Sequence, residues 1–348
     1  MSQRAGHLQV LVVWDRPRDF EDLLAGRFPN CNFEYAASVD GVRDALRRTN
    51  PEVVFSIKHD RFPTECHRIA AGYPGVKWVQ VGGSGYEHLS PADLSGVRLT
   101  NAAGVLAPYL AETVIGAMLA WTGHLFRYRE QQSAALWRQI PFTPLRDRTV
   151  LVVGAGAIGG CVAANAKSLG MRVMGANRSG APVRHIDRMY RLDGVQEALG
   201  EADYISVHLR LNDDTHHFID QRRLAAMKPG AFFINTSRGA VVDEGALLES
   251  LRSGRLSGAY LDVFEKEPLP ASHPLWHMDN VLITPHAADC VVDWPRRFAG
   301  FFADNLERWV NGQSLMNEVH GDAAAGDTRF TGVEHSGSNA DFTTGTPR

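Results

Sequence analysis

The chain has 348 residues, a formal net charge of −3, and 44% hydrophobic against 22% charged residues. Its length exceeds one ordinary core and suits two domains of roughly 100–200 residues each, while the balanced charge gives no basis for nucleic acid or an anionic membrane as a partner. No stretch approaches the ~20 apolar residues of a membrane span, and the four cysteines (Cys31, Cys66, Cys161, Cys290) lack CxxC spacing, so a cytoplasmic protein with reduced thiols and no metal is expected.

Short β-branched runs alternate with helical patterns along most of the chain, which predicts an α/β protein of two doubly wound, Rossmann-like parallel sheets. The first run is Val10–Trp14; the apolar stretch around it, Leu8–Trp14, is too short for a secretory signal and is followed by Asp15, Arg16 and Pro17, where a small-residue cleavage site would be needed. VVFSI over Val53–Ile57 and VKWVQV over Val76–Val81 follow, separated by segments long enough for crossover helices. A helix is predicted from Pro108, with Val114, Ile115, Met118 and Leu119 at helical spacing. A second series then begins at Thr149: TVLVVG, RVMGAN, ADYISVHL, GAFFINTS, GAYLDV and NVLITPH. After it, Trp294–Val310 reads as an amphipathic helix whose stripe of Phe298, Phe301, Phe302, Leu306 and Trp309 belongs in a core. From Gly321 to Arg348 the chain turns to small and polar residues and is expected to be a disordered tail.

The strand TVLVV runs directly into Gly154, Gly156 and Gly159 at GxGxxG spacing, followed by a helical run. Gly154 permits the tight turn, Gly156 lets backbone approach a pyrophosphate, and Gly159 lets the helix pack on the strand. Ala157 and Ile158 open the helix, whose free N–H groups and positive dipole end suit phosphates. The next strand ends at Asn177, about 20 residues on, where an NAD-specific site wants a carboxylate for the ribose 2′-OH. Asn177, Arg178 and Ser179 stand there instead. No carboxylate repels a 2′-phosphate and the arginine can pair with it, so NADP(H) is favoured over NAD(H). A solvated loop arginine is the plain alternative.

Three later strands end in reactive residues: Arg238 after GAFFINTS begins its turn, Glu267 after LDVFEKE, and His286 after NVLITP. Ligands of open parallel sheets bind outside the carboxyl ends of the strands, so these side chains can share one site. VQVGGSGYEHL, TNAAGVLAPYLAET, the glycine loop, INTSRGAVVDE, LDVFEKEPL and ITPHAA, in that order, resemble the D-isomer-specific 2-hydroxyacid dehydrogenase family, and within it the glyoxylate/hydroxypyruvate reductase branch, over roughly residues 50–318.

The resemblance implies hydride transfer between NAD(P)H and a small 2-keto or 2-hydroxy acid, with Arg238, Glu267 and His286 as the catalytic set. The chemistry demands those types. A guanidinium binds the carboxylate and polarises the adjacent carbonyl, an imidazolium protonates the alkoxide, and a carboxylate beside the imidazole favours its charged form. Ser84 and Gly85 fall on the family's carboxylate-binding glycine loop, Thr236 and Asp262 on its cofactor side, and Trp137 on a tryptophan that either reaches a neighbouring subunit's active site or merely packs. A homodimer is implied. The family more often has a shorter acid at Glu87, proline at Arg210 and glycine at Asp289; these departures bear on substrate identity, and Arg210 either assists a 2′-phosphate or faces solvent. A substrate domain of residues 1–104 with 290–318 and a coenzyme domain of 105–289, meeting at a cleft, are expected. A nucleotide-sensing co-repressor on the same fold is the alternative from another class; a relative acting on formate or phosphite is a second.

Overall fold

The computed structural model describes residues 8–58 and 62–319; the tail expected over 321–348 lies outside them. The chain divides into two compact units. One ends its first segment at Ala102 and resumes at Ala299; the other runs Ala103–Phe298. The second division falls inside one continuous helix, whereas the sequence reading placed it at 290, before that helix begins.

The first unit is a five-stranded parallel sheet ordered β2-β1-β3-β4-β5: β1 (Gln9–Val13), β2 (Asn32–Ala36), β3 (Val53–Ile57), β4 (Trp78–Gly82) and β5 (Arg98–Thr100). Helices α1 (Glu21–Arg27), α2 (Val39–Thr49) and α3 (Thr64–Ala71) lie between its strands in sequence. β3 is buried at every residue, as a central strand covered on both faces must be. On one face Val42 and Leu46 of α2 and Cys66 and Ala70 of α3 pack with Val54 and Val79. On the other, the C-terminal part of α10 (Trp294–Val310) lays Phe302 flat on Phe55, centroids 4.4 Å apart, and beside Trp78 at 5.4 Å. Asn305, fully buried on α10, donates to Gln80 Oε1 at 2.9 Å and accepts from Met316 N at 2.8 Å.

The second unit is a seven-stranded parallel sheet ordered β12-β11-β10-β9-β6-β7-β8. Its strands are β6 (Thr149–Val153), β7 (Arg172–Asn177), β8 (Arg188–Arg191), β9 (Tyr204–Val207), β10 (Phe232–Asn235), β11 (Gly258–Leu261) and β12 (Val281–Ile283). Helices α4 (Ala107–Thr122), α5 (Leu125–Ser133) and α6 (Ala157–Ser168) precede α7 (Gln196–Leu199), α8 (Gln221–Ala226) and α9 (Glu244–Arg252). Val114 and Met118 of α4 and Val162 and Ala166 of α6 cover one face; Leu199, Leu224, Leu247 and Leu251 cover the other. Leu119, expected in the α4 stripe, is exposed. Strand order reverses between β6 and β9, which opens a crevice at their carboxyl ends. The doubly wound α/β architecture expected from the alternating runs is the one observed, with β2, β5 and β8 in addition to the foreseen strands.

Candidate active site

The glycine loop lies at that crevice. Gly154 has φ +99°, and a Cβ there would sit 2.7 Å from the carbonyl carbon and oxygen of His208 on the neighbouring strand end. A Cβ on Gly159 would meet Gly154 O at 2.4 Å, so this helix–strand contact also requires glycine. Gly156, the residue before α6, faces open space, as does Gly160. The first N–H groups of α6, over Ala157, Ile158 and Gly159, have no intrahelical acceptors, and no side chain at the N-cap serves them. An exposed glycine backbone against a helix N-terminus fits a dinucleotide pyrophosphate.

At the end of β7, Asn177 is committed to its own turn: Oδ1 accepts from Gly180 N at 2.6 Å and Ser179 Oγ at 3.3 Å, and Nδ2 donates to Ala181 O at 3.1 Å. Ser179 Oγ in turn accepts from Ala181 N at 3.2 Å. This network folds the loop and leaves the Arg178 side chain exposed at its tip.

β10, β11 and β12 lie side by side, with Asn235 opposite Leu261 and Leu261 opposite Ile283. Neighbouring strands are about 4.8 Å apart, so the segments leaving them emerge as a row. Arg238 follows β10, is exposed, and donates from Nη1 to Ser237 O at 2.6 Å. Asn235 fixes its turn, donating to Arg238 O at 3.2 Å and accepting from Ser237 N and Oγ at 3.0 and 2.7 Å. Gly239 presses on the β11 loop, where a Cβ would lie 1.8 Å from Phe264 C. On that loop, Glu267 Oε1 accepts from Phe264 N at 3.0 Å and Oε2 is bonded to His286 Nδ1 at 2.8 Å.

His286 itself has φ +52°, a left-handed conformation that a non-glycine residue holds only when its surroundings impose it. Its N–H donates to Asp262 O at 2.8 Å. The buried Asp262 carboxylate accepts from Ala287 N at 2.7 Å, from Ala288 N at 3.1 Å and from the Thr284 hydroxyl. Asp262, expected on the cofactor side, is thus occupied by the protein. A buried carboxylate must be saturated with donors, and the adjacent β12 loop supplies them. Thr236 is nearly buried and lies 3.4 Å from His208 Nδ1; the sequence reading had no role for His208.

In the first unit, Ser84 and Gly85 follow β4, and Ser84 O accepts from Asn101 Nδ2 at 3.1 Å. Trp137 is 98% exposed, so it does not pack within its own unit. Arg210 and Asp289 are exposed. A cavity of about 380 Å³ opens at the opposite, N-terminal edge of the second sheet, lined by Trp121, Arg148, Asp203 and Tyr204 among others. Arg148 and Asp203 pair there at 3.2 Å, and none of the expected site residues lines it.

Comparison with known proteins gives three kinds of match. The family described as D-isomer specific 2-hydroxyacid dehydrogenase, NAD binding domain, matches residues 115–288. A glyoxylate reductase of Thermofilum pendens is 33% identical over 266 residues, which is 70% of this chain and 76% of that protein. Among solved structures, a D-isomer specific 2-hydroxyacid dehydrogenase family protein from Aeromonas salmonicida superposes with a TM-score of 0.76 at 32% identity, over 90% of this chain and 99% of that one. An NADPH-dependent glyoxylate/hydroxypyruvate reductase from Sinorhizobium meliloti, in complex with NADP and sulfate, does so at 0.74 and 26%, over 90% and 98%.

Proposed function

The chain belongs to the D-isomer specific 2-hydroxyacid dehydrogenase family, and from that premise we propose that it reduces a small 2-keto acid such as glyoxylate or hydroxypyruvate, using NADPH in preference to NADH. It is an NAD(P)-dependent oxidoreductase of 2-hydroxy and 2-keto acids; the substrate, the cofactor preference and the residue roles are the proposal. One observation carries it: a histidine–carboxylate pair at 2.8 Å stands beside an arginine turn, on adjacent strand ends of a dinucleotide-binding sheet.

A nicotinamide cofactor held by the glycine loop of Gly154, Gly156 and Gly159 would supply or accept the hydride. Arg238 holds the substrate carboxylate and polarises the carbonyl beside it, countering charge as it develops on oxygen. His286 gives a proton to that oxygen during reduction and takes it back during oxidation. Glu267, bonded at Nδ1, leaves Nε2 as the nitrogen for this transfer and compensates the imidazolium. Asp262 acts one step removed, holding the loop that keeps His286 in its left-handed conformation. Ser84 and Gly85 are assigned to the substrate carboxylate on their motif alone.

Gly154, Gly156 and Gly159 with Ala157 and Ile158 form the pyrophosphate seat. Arg178 pairs with the 2′-phosphate, and Asn177 and Ser179 shape the loop that presents it. A homodimer is supported by the concentration of exposed large apolar residues in one stretch of chain: Leu119, Leu125, Phe126, Leu136, Trp137 and Phe142.

The test is a panel of 2-keto acids with each reduced cofactor, followed by absorbance of the nicotinamide. Turnover of glyoxylate or hydroxypyruvate, faster with NADPH, is the expected result. Folded, cofactor-binding protein that turns over no keto acid would overturn the proposal.

A further inference from the structure

The residue His208, just past the end of β9, lies outside the chemistry assigned above. Its Nε2 is bonded to Ser206 Oγ at 2.8 Å, and its Nδ1 faces Thr236 Oγ1 at 3.4 Å. Its N–H donates to Val153 O at 2.7 Å, and its carbonyl abuts Gly154, where even a Cβ would collide. His208 therefore touches the glycine loop through its backbone and the β10 turn through its ring. Thr236 and Asn235 are the residues from which that turn departs toward Arg238, and Asn235 closes it on Arg238 O.

The hydroxyls it serves are themselves enclosed, Ser206 fully and Thr236 at 5% exposure, so each needs a polar partner. A neutral imidazole, with one donor and one acceptor nitrogen, can satisfy both at once. Burial pushes the His208 imidazole down to about 3, so this neutral form persists through the physiological pH range.

We propose that His208 is a positioning residue: it pins the turn that aims Arg238 and ties that turn to the dinucleotide loop, without exchanging a proton in the reaction. The inference rests on the assignment of Arg238 to the substrate carboxylate.

Steady-state kinetics and equilibrium cofactor binding of His208→Ala and His208→Asn, with Arg238→Ala alongside, test it. His208→Ala should raise KM for the keto acid roughly 10-fold, the scale of one or two lost neutral hydrogen bonds. The reduced-cofactor Kd, read by fluorescence, should stay within about 2-fold, since the glycine loop is met by backbone alone. His208→Asn, which keeps a donor and an acceptor, should recover most of the loss, and its pH profile should overlie that of the wild type. If His208→Ala does not fold, Thr236→Val, which removes the same contact with the histidine in place, should raise KM for the keto acid in the same direction. Wild-type KM in the alanine variant, an asparagine variant as impaired as the alanine one, or a displaced acidic limb would each overturn the proposal. A wild-type Arg238→Ala would instead remove the reading of Arg238 and this inference with it; a crippled Arg238→Ala beside normal His208 variants removes the inference alone.

Discussion

Gly239 has no space for any side chain: a Cβ would be 1.8 Å from Phe264 C and 2.0 Å from its O. Backbone on both sides cannot rotate away, so Gly239→Ala must move either the Arg238 turn or the loop carrying Glu267. The expected cost is about 1–3 kcal/mol of stability, seen as a lower Tm, together with loss of turnover in the fraction that folds. Replacing His286 by alanine should slow reduction by ~10²-fold or more, the lower range for a general acid. Glu267→Gln should cost less. A glutamine can still accept from Nδ1, so what disappears is the charge assistance, about 1 kcal/mol, or ~5-fold in kcat/KM. Equal losses in both variants would mean that Glu267 does more than orient the ring. His208 makes a prediction about acid stability. Its ordinary value is 6.5 and its folded value about 3, so between the two the unfolded chain binds a proton that the folded chain refuses. Stability tied to this group is therefore complete above pH 6.5 and falls as the pH drops toward 3. At pH 5 the loss is about 2 kcal/mol, and His208→Asn should show a correspondingly flatter fall of Tm between pH 7 and pH 5.

The loop after β7 decides cofactor choice through its shape. Asn177 and Ser179 tie it into a closed turn, so Arg178 is presented by a formed loop rather than by a free strand end. A charge-assisted bond from Arg178 to a 2′-phosphate is worth roughly 1.5–3 kcal/mol, so Arg178→Ala should lose ~10- to 100-fold in kcat/KM with NADPH and little with NADH. Equal losses with both cofactors would remove Arg178 from that role. What the sequence made legible at this scale followed unbroken apolar content, down to the three residues VLI of β12. β1, β3, β4, β6 and β7 are runs of five or six residues, largely buried and apolar, and they were visible. β5 is three residues, RLT, and β8 is RMYR with one buried side chain; β2 buries only Ala36. These edge strands exist because a neighbouring strand offers them hydrogen bonds, a fact no local pattern records. The site divides in the same way. Arg238, Glu267 and His286 were placed by motif at strand ends, but the Asp262 contacts to Ala287 and Ala288 depend on β11 lying next to β12, and the His208–Thr236 contact on β9 lying next to β10.

For the molecule as a whole, the exposed apolar residues between Leu119 and Phe142 are the feature a monomer would hold least comfortably in water. Light scattering coupled to size exclusion should give a dimer, and a charged replacement such as Leu136→Lys with Trp137→Lys should yield monomer with unchanged far-UV ellipticity. A wild-type monomer at micromolar concentration would end the dimer proposal. The way α10 returns to the first sheet bears on how the chain is made. Phe302 and Asn305 close a face of β3 and β4, and Glu318 grips Arg98 with both oxygens at 2.6 and 2.7 Å. During synthesis from the N-terminus, β1–β5 must therefore wait for residues made after the whole second unit, while that unit can complete itself on the ribosome. The strands β1–β5 become protease-resistant after the unit that follows them, and a nascent chain halted at Phe298 should yield a protected fragment from Ala103 onward with β1–β5 digested.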